Sequence, residues 1–285
     1  MDAIVLPGQL PGRFDFFSGY WYNRQKGGMA VKVVTLAENT ACREDLAAEH
    51  GLSLYIETGG CRILFDFGQT DAFLRNAEKL GVDLRRVDLA VLSHGHNDHG
   101  GGLARFLQIN ASAPVYLSRH AFEPHFSRSG SFIGLDPSLA DSSRLIFTDG
   151  SLDISDELSI CSCGAPPEDA SGQTVLENGV LRPEDFTHEQ YLLVREQGKR
   201  ILFSGCSHKG IGQIAEAFRP DVLVGGFHLL HTPEETRLRA AAERLLQCPT
   251  VYYTGHCTGQ AQFDYLKEQM GPRLRAFHTG SVLLL

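Results

Sequence analysis

The distribution of hydrophobic and polar positions divides the chain into short apolar runs separated by polar stretches. The runs lie at residues 32–36, 52–58, 62–65, 89–92, 113–118, 158–162, 191–194, 200–203, 222–225 and 250–254. Apolar runs of this length, bounded by turn residues, are typical of buried strands. Helical patterns lie between several of them, and strands that alternate with helices predict an α/β protein.

Two helices have recognisable ends. One is predicted from Thr70 to Leu80, with Thr70 as its cap and Gly81 as its terminator. The other is predicted to begin at Thr232, with proline in the first helical position and Glu235 completing a capping box. Its predicted buried face consists of Leu238, Ala241, Ala242, Leu245 and Leu246. Both helices therefore have an apolar side that can pack on a sheet.

The first residues differ from the rest of the chain. Residues 1–28 combine prolines and glycines with a group of aromatic residues, and we interpret them as an N-terminal extension. An aromatic arm that covers a partner subunit or the mouth of the site is the functional alternative, and an extension without a catalytic role is favoured. Residues 29–285 are predicted to form one domain, because both halves supply residues to one site.

Composition narrows the class of protein. The chain has 285 residues, 42% of them hydrophobic, a formal net charge of −8 and a pI near 5.8. This charge argues against a nucleic-acid binder, and no apolar run approaches the roughly 20 residues that span a bilayer. The N-terminus lacks a signal-peptide pattern, and the seven cysteines form no paired framework. We therefore expect a cytoplasmic protein with reduced thiols, and the sequence leaves its oligomeric state open.

The most informative stretch runs from Leu92 to Leu103. It contains His94, His96, Asp98 and His99 directly after an apolar run, and three glycines follow. His94 and His96, two apart on an extended turn, can point the same way, whereas Asp98 and His99 point elsewhere. Imidazole and carboxylate ligands suit zinc, manganese or iron. The spacing therefore predicts two neighbouring metal ions, as in many hydrolytic sites.

This stretch resembles the signature of the metallo-β-lactamase superfamily. Three later segments, 204–211 (SGCSHKGI), 225–229 (GGFHL) and 255–259 (GHCTG), resemble a subgroup named for a dihydropteroate-synthase-like archaeal member. The resemblance runs from about Val31 to the C-terminus. It implies a four-layer αββα sandwich with the metal ions at one edge of two sheets.

The resemblance also implies the remaining ligands. His256 matches the superfamily's last metal histidine, and Asp66 matches the aspartate that supports the metal loop. His208 is favoured as the third imidazole, with His188 as its rival. Cys206 stands where the superfamily has a bridging aspartate, so we place it in the ligand set or just behind it. One ion would then be held by His94, His96 and His208, and the other by Asp98, His99 and His256.

We expect two divalent transition metal ions, with zinc favoured and manganese or iron as alternatives. The first hypothesis is a hydrolase in which hydroxide from the dinuclear site attacks a small anionic molecule, such as a phosphate or pyrophosphate ester. Asp98 would orient the water, and His228 would contact the substrate or oxyanion unless it is simply a packed histidine. Candidate substrate-binding residues are Arg119, His120, Arg128 and Lys209, aided by the helix N-terminus after Gly210.

Residues 119–144 would form a substrate lid or an irregular surface loop. The sequence leaves two other functions open. The subgroup suggests a transferase that joins a dihydropterin pyrophosphate to an aminobenzene ribofuranosyl phosphate. Cys206 in place of aspartate also allows a metal-bound sensor or binding protein with little turnover.

Overall fold

The computed structural model describes residues 30–168, 172–232 and 234–285. The strands are β1 (Lys32–Ala37), β2 (Ser53–Glu57), β3 (Arg62–Phe65), β4 (Leu89–Val91), β5 (Val115–Ser118), β6 (His125–Phe126), β7 (Leu145–Thr148), β8 (Leu152–Asp153), β9 (Leu158–Cys161), β10 (Thr174–Glu177), β11 (Val180–Pro183), β12 (Tyr191–Glu196), β13 (Lys199–Phe203), β14 (Val222–Val224), β15 (Val251–Thr254), β16 (Leu274–Ala276) and β17 (Val282–Leu284). The α-helices are α1 (Ala72–Lys79), α2 (Asn97–Gly100), α3 (Leu103–Ile109), α4 (Ile211–Phe218), α5 (Glu235–Leu246) and α6 (Gln260–Met270). Single 3₁₀ turns lie at Leu84–Arg86, Pro137–Leu139, His256–Thr258 and Gly271–Arg273.

Two seven-stranded mixed sheets organise the fold. Their strand orders are β17-β1-β2-β3-β4-β5-β7 and β16-β15-β14-β13-β12-β9-β8. In the first sheet β3, β4, β5 and β7 pair in parallel, and in the second β13, β14, β15 and β16 do so. Parallel neighbours need crossover connections, and α3 and α4 provide two of them.

Three apolar layers hold these elements together. The central layer joins side chains of both sheets, and Phe65 of β3 and Phe203 of β13 lie across it with ring centroids 6.1 Å apart. A second layer packs α1 and α3 on the outer face of the first sheet, and a third packs α4, α5 and α6 on the other. The order helix, sheet, sheet, helix confirms the predicted four-layer αββα sandwich.

The sandwich brings distant parts of the chain to one edge. Asp66 follows β3, His94 follows β4, Cys206 and His208 follow β13, and His256 follows β15. Because parallel strands end at the same edge of a sheet, these segments converge there. The loops at this edge therefore carry the candidate ligands.

Some predicted elements differ from the structure. Residues 119–144 and 164–185 contain β6, β10 and β11, which form a third sheet in the order β11-β10-β6. The helix predicted to start at Thr232 begins at Glu235, with Glu234 in the cap position and no side-chain capping bond. Thr232 was therefore wrong as the cap, and Pro233 and residues 1–28 lie outside the described residues. Within the described ranges, no helix combines the length and apolarity needed to cross a membrane.

Candidate metal centre

Asp66 holds the loop that carries the first ligands. Its Oδ1 accepts the Ser93 backbone N–H at 2.7 Å and its Oδ2 accepts the Ser93 hydroxyl at 2.8 Å. The same Oδ2 lies 2.7 Å from His99 Nδ1. Asp66 is fully buried and occupies a positive-φ conformation at the end of β3. The aspartate singled out by sequence therefore lies behind the loop rather than in a ligand position.

The Asp66 carboxylate determines which ring nitrogen carries the hydrogen in neutral His99 and His94. It can only accept, so His99 carries its ring hydrogen on Nδ1 and keeps a lone pair on Nε2. The Ser93 hydroxyl donates to Asp66, so it accepts from His94 Nδ1, 2.8 Å away. His94 Nε2 therefore also carries a lone pair. Partners on the far ring nitrogen orient metal-binding histidines in this way.

The candidate ligands form two neighbouring sets, defined by the distances between their donor atoms. Asp98, His99, Cys206 and His256 bring their donor atoms within 4.8 Å of one another, and so do His94, His96 and His208. In the first set, His99 Nε2 lies 3.1 Å from His256 Nε2, and Asp98 Oδ2 lies 3.3 Å from His256 Nε2. In the second, His94 Nε2 lies 3.3 Å from His208 Nε2. All six residues expected from sequence belong to these two sets. His188, the rival of His208, belongs to neither set; its ring lies beside His96, with centroids 5.1 Å apart, in a group around Glu184.

The donor chemistry of the first set fits a divalent cation. His256 Nδ1 lies 2.9 Å from the Asn39 side-chain oxygen, so its Nε2 also carries a lone pair. Two lone pairs then face each other across 3.1 Å, with the Asp98 carboxylate beside them. A bound cation relieves this repulsion, and in its absence a proton on His99 Nε2 does so. Burial lowers the pKa of His99, but the Asp98 and Asp66 charges outweigh burial and raise it to about 9.

Buried carboxylates also hold the backbone of the later ligands. Glu38 Oε1 accepts the His256 N–H at 2.6 Å. Glu189 accepts the backbone N–H groups of His208 and Lys209 at 2.7 and 3.0 Å, together with the hydroxyl of Tyr191. Burial raises the pKa of Glu189, although these hydrogen bonds oppose the rise. Such partners fix the loops before any ligand binds.

Cys206 lies inside the first set. Its Sγ is 3.2 Å from His99 Nε2, and the residue is 3% exposed. Burial raises the pKa of this thiol well above its usual range. A cation at the site would favour the thiolate, and zinc and iron accept thiolate ligands. The position therefore suits a ligand as well as a neutral thiol.

Backbone strain is concentrated at the centre. Asp66, Ser207, His228 and His256 have φ values of 61°, 61°, 51° and 51°, a region that non-glycine residues rarely occupy. Such residues are often found at functional sites, where surrounding contacts hold the strained conformation. Their clustering is a local signal that sequence periodicity does not carry.

The ring of His228 packs against His208 with ring centroids 4.2 Å apart. Burial lowers the pKa of His228 to about 4, which favours the neutral imidazole. His50, left unassigned by sequence, is half exposed, and its Nε2 lies 3.4 Å from Asp98 Oδ2. Both rings border the ligand sets.

Sequence reasoning missed Glu38 and Asn39, although both follow a strand that ends at the same edge.

The candidate substrate-binding residues separate into two groups. His120 and Lys209 line a cavity of about 470 Å³, together with Ser118, Asp149, Asp185 and Glu189 among others. Arg119 instead forms an ion pair with Asp149 at 2.8 Å and is more than half exposed. Arg128 is not among the cavity residues and lies beside Gly172. Lys209 is 7% exposed and follows His208 directly in the chain.

The helix N-terminus after Gly210 differs from expectation. It was predicted to attract a phosphate group, but Glu168 Oε1 already accepts the backbone N–H of Gln213 at 3.2 Å. A Cβ built on Gly210 would lie within 2.5 Å of the Glu168 side chain. The first turn of α4 therefore has a carboxylate of this chain beside it, with which a phosphate group would have to compete, and phosphate binding there stays a prediction.

Residues 47–256 match the family described as the metallo-beta-lactamase superfamily. The chain is 27% identical to the 7,8-dihydropterin-6-methyl-4-(beta-D-ribofuranosyl)-aminobenzene-5'-phosphate synthase of Methanocaldococcus jannaschii, over 89% of this chain and 96% of that protein. It is similar to the crystal structure of a metal-dependent hydrolase of the beta-lactamase superfamily, with TM-score 0.77, 27% identity and coverage of 90% and 99%. The metallo-beta-lactamase fold protein YhfI from Bacillus subtilis shares the fold at 13% identity, with TM-score 0.58 and coverage of 90% and 99%.

Proposed function

Because this chain belongs to the metallo-β-lactamase superfamily, we propose that it is a metal-dependent hydrolase with a dinuclear centre. The approach of His99 Nε2 and His256 Nε2 to 3.1 Å, beside the Asp98 carboxylate, is the observation that carries the proposal. His94, His96 and His208 would hold one divalent ion, and Asp98, His99 and His256 the other, with Cys206 as a further donor. Zinc is favoured by the imidazoles and thiol, and manganese or iron are the alternatives.

Two bound ions would supply hydroxide near neutral pH and neutralise charge that develops on the substrate. The residues of this chain would position the reactants. Asp98 lies 15% exposed between the buried imidazoles and can orient a water molecule or hold its proton. His228, neutral and packed on His208, would donate a hydrogen bond to a substrate oxygen. We assign catalytic roles to both residues within this proposal.

The proposed substrate is a small anionic molecule, with phosphate or pyrophosphate esters as the leading class. Lys209 and His120 line the cavity beside the His208 segment, so a negative group there would meet Lys209. The charge of Glu189 in the same wall is satisfied by two backbone N–H groups and a tyrosine hydroxyl. Asp185, in the same cavity, has a carboxylate whose charge interacts with that of Lys209, so a negative substrate group would compete with Asp185 for this lysine. Arg119, paired with Asp149, would contribute at the rim.

A transferase is the second candidate. It is favoured by the near full-length similarity to the M. jannaschii synthase, which is 27% identical. A transferase of this kind would join a dihydropterin pyrophosphate to an aminobenzene ribofuranosyl phosphate and use the same cations to stabilise the leaving pyrophosphate. The two candidates differ in the nucleophile, which is water in one and the second substrate in the other.

Turnover in ¹⁸O-labelled water separates these functions. The zinc-loaded protein would be tested with phosphodiesters, pyrophosphates, lactones and thioesters, and with a pterin pyrophosphate plus an aminobenzene acceptor. Solvent ¹⁸O in the product supports the hydrolase, whereas a coupled product without the label supports the transferase. Asp98→Asn is the inactive reference. Bound metal with no turnover of any compound would contradict both and favour a metal-bound sensor.

A further inference from the structure

A second group of histidines surrounds the carboxylate of Glu184. His125 Nδ1 lies 3.0 Å from Glu184 Oε2, His188 Nε2 lies 3.3 Å from Oε1, and His96 Nε2 lies 3.9 Å from Oε2. All four residues are buried, with relative exposures of 8% or less. The donor atoms lie within 4.8 Å of one another, so this group has the composition of a third metal site.

The hydrogen bond made by Gly95 argues against that interpretation. The Gly95 backbone N–H donates to His188 Nδ1 at 2.7 Å. A backbone amide can only donate, so Nδ1 must carry the lone pair and the neutral ring carries its hydrogen on Nε2. That Nε2 faces Glu184. A nitrogen that carries hydrogen cannot ligate a metal. The Nε2–H of His188 lies 3.3 Å from the carboxylate, as a charge contact rather than an aligned hydrogen bond.

The ring nitrogens of His125 and His96 are also directed toward the Glu184 carboxylate. A carboxylate has lone pairs for several donors, and His125 Nδ1 is within hydrogen-bonding distance of both Glu184 oxygens. His96 Nε2 is buried, lacks a hydrogen-bond partner among the described residues and is directed toward the same carboxylate. An imidazole that points one nitrogen at a carboxylate presents its other nitrogen on the opposite side. His96 belongs to the set with His94 and His208, and the nitrogen of its ring on the side away from Glu184 is Nδ1.

We propose that Glu184 is a positioning residue for the metal centre: its negative charge, 3.9 Å from His96 Nε2, favours the tautomer with hydrogen on that nitrogen and so leaves Nδ1 of the ring for the metal. The inference rests on the proposed function, because it needs a metal at the set of His94, His96 and His208. His125 and His188 also contact Glu184, and we call these three residues the support of the metal loop. The rings of His125 and His188 stack with centroids 4.1 Å apart, at an interplanar angle of 23°.

The support also fixes the backbone between two ligands. Gly95 lies between His94 and His96, and its amide is held by His188. From another side, a Cβ at Gly95 would lie 2.2 Å from the Ala121 carbonyl oxygen. The turn is therefore confined by β5's following loop and by the Glu184 group together. One buried carboxylate thus orients both a ligand ring and, through His188, the peptide beside it.

Metal titration tests the role of Glu184. Metal-stripped wild type, Glu184→Gln and Glu184→Asp would be titrated with Zn²⁺ in competition with a chromophoric chelator. Glutamine places amide hydrogens against the ring N–H donors, so we expect one of two zinc ions to bind about 10–100-fold more weakly, with the other unchanged. Glu184→Asp should recover part of the affinity. Glu57→Gln, which alters a carboxylate paired with Lys32 outside the centre, should bind like wild type.

The ring nitrogens give an independent readout that needs no change at Glu184. In zinc-loaded wild type with ¹⁵N-labelled histidine, His96 should show hydrogen on Nε2 and metal on Nδ1. Its signals would be identified by their loss in His96→Gln. Metal on Nε2, a third zinc that Glu184→Gln removes, or unchanged zinc binding by a folded Glu184→Gln variant would overturn the inference. A wild type that binds no zinc would instead overturn the proposed function.

Discussion

At the residue scale, the centre depends on which nitrogen of each imidazole carries hydrogen. Asp66 determines this for His99 directly and for His94 through the Ser93 hydroxyl. Asn39 determines it for His256. The spacing of the histidines predicted where the ligands lie, but it could not show these partners, because they come from other strands. The tautomers follow only once the strands are assembled.

Replacing Asp66 by asparagine tests this dependence. An amide offers one acceptor oxygen where the carboxylate offers two. Its NH₂ group must therefore face either the Ser93 backbone N–H or the pair formed by the Ser93 hydroxyl and His99 Nδ1, and the bonds on that side are lost. We expect zinc affinity to fall about 10–100-fold. A competition titration would measure it, with thermal unfolding to check that the protein is folded. Asp88→Asn, which alters a carboxylate paired with Arg62, should bind zinc normally, and equal affinity in both variants would contradict the argument.

Cobalt substitution tests Cys206 as a ligand. Its Sγ lies 3.2 Å from His99 Nε2, so a Co²⁺ ion in that set should form a thiolate bond and show a sulfur-to-metal charge-transfer band in the near ultraviolet. Cys206→Ser should remove the band. The matched control is Cys248→Ser, because Cys248 is also buried and its Sγ donates to the Ala215 carbonyl oxygen at 3.5 Å, away from the ligand sets. A band that persists in Cys206→Ser would exclude the thiolate.

At the scale of elements, the metal loop requires close contact between turns and strands. Gly95 illustrates the requirement, because an added Cβ would meet a backbone carbonyl oxygen at 2.2 Å. Neither atom can move without displacing the loop or the turn after β5. A glycine between two histidines is visible in the sequence, but its reason is a contact with Ala121, which sequence pattern does not reveal.

We therefore predict that Gly95→Ala lowers zinc binding more than it lowers global stability. The methyl group would displace His94 and His96 from one another while the sheets stay packed. Zinc content by elemental analysis and the thermal midpoint would be compared with Gly164→Ala, where a Cβ meets nothing within 4 Å. Wild-type zinc content in Gly95→Ala would show that the loop tolerates the added carbon.

Element type was predictable where hydrophobic runs were long enough, and less so where polar residues form strands. The helix Ala72–Lys79 and the hairpin of β12 and β13 follow the predicted segments closely. The hairpin of β10 and β11 was not predicted from the sequence. Val180 and Leu181 are exposed, and the two strands show no alternation of buried and exposed residues. Its pairing with β6 is set by tertiary contacts, which outweigh local preference.

At the scale of the whole molecule, the centre exists only in the assembled sandwich. Its residues extend from Glu38 to His256, on loops from both sheets, so neither half of the chain contains a complete ligand set. Residue types and spacing supplied His94, His96, Asp98 and His99 as ligand candidates, and the family resemblance supplied the αββα architecture with His208 and His256. It did not supply the supporting residues Glu38, Asn39 and Glu184, because their partners are backbone amides and ring nitrogens far away in sequence.

This arrangement couples metal binding to folding. A ligand that binds only the folded state stabilises it by about 2.7 kcal/mol at a free concentration 100 times its dissociation constant. For a chain of this size, that corresponds to a rise in the thermal midpoint on the order of 5 °C. We expect zinc to raise the midpoint of the metal-stripped protein, and a chelator to reverse the rise.

Variants of His208 and His231 test whether the zinc-dependent rise in the thermal midpoint comes from the proposed centre. His208→Ala removes a donor 3.3 Å from His94 Nε2, so it should lose part of the zinc-dependent rise, whereas His231→Ala, at an exposed turn, should keep all of it. Zinc that binds unfolded histidines and cysteines would act equally in both variants and cannot produce this difference. Equal shifts in the two variants would mean that zinc stabilises the sandwich from somewhere other than the proposed centre.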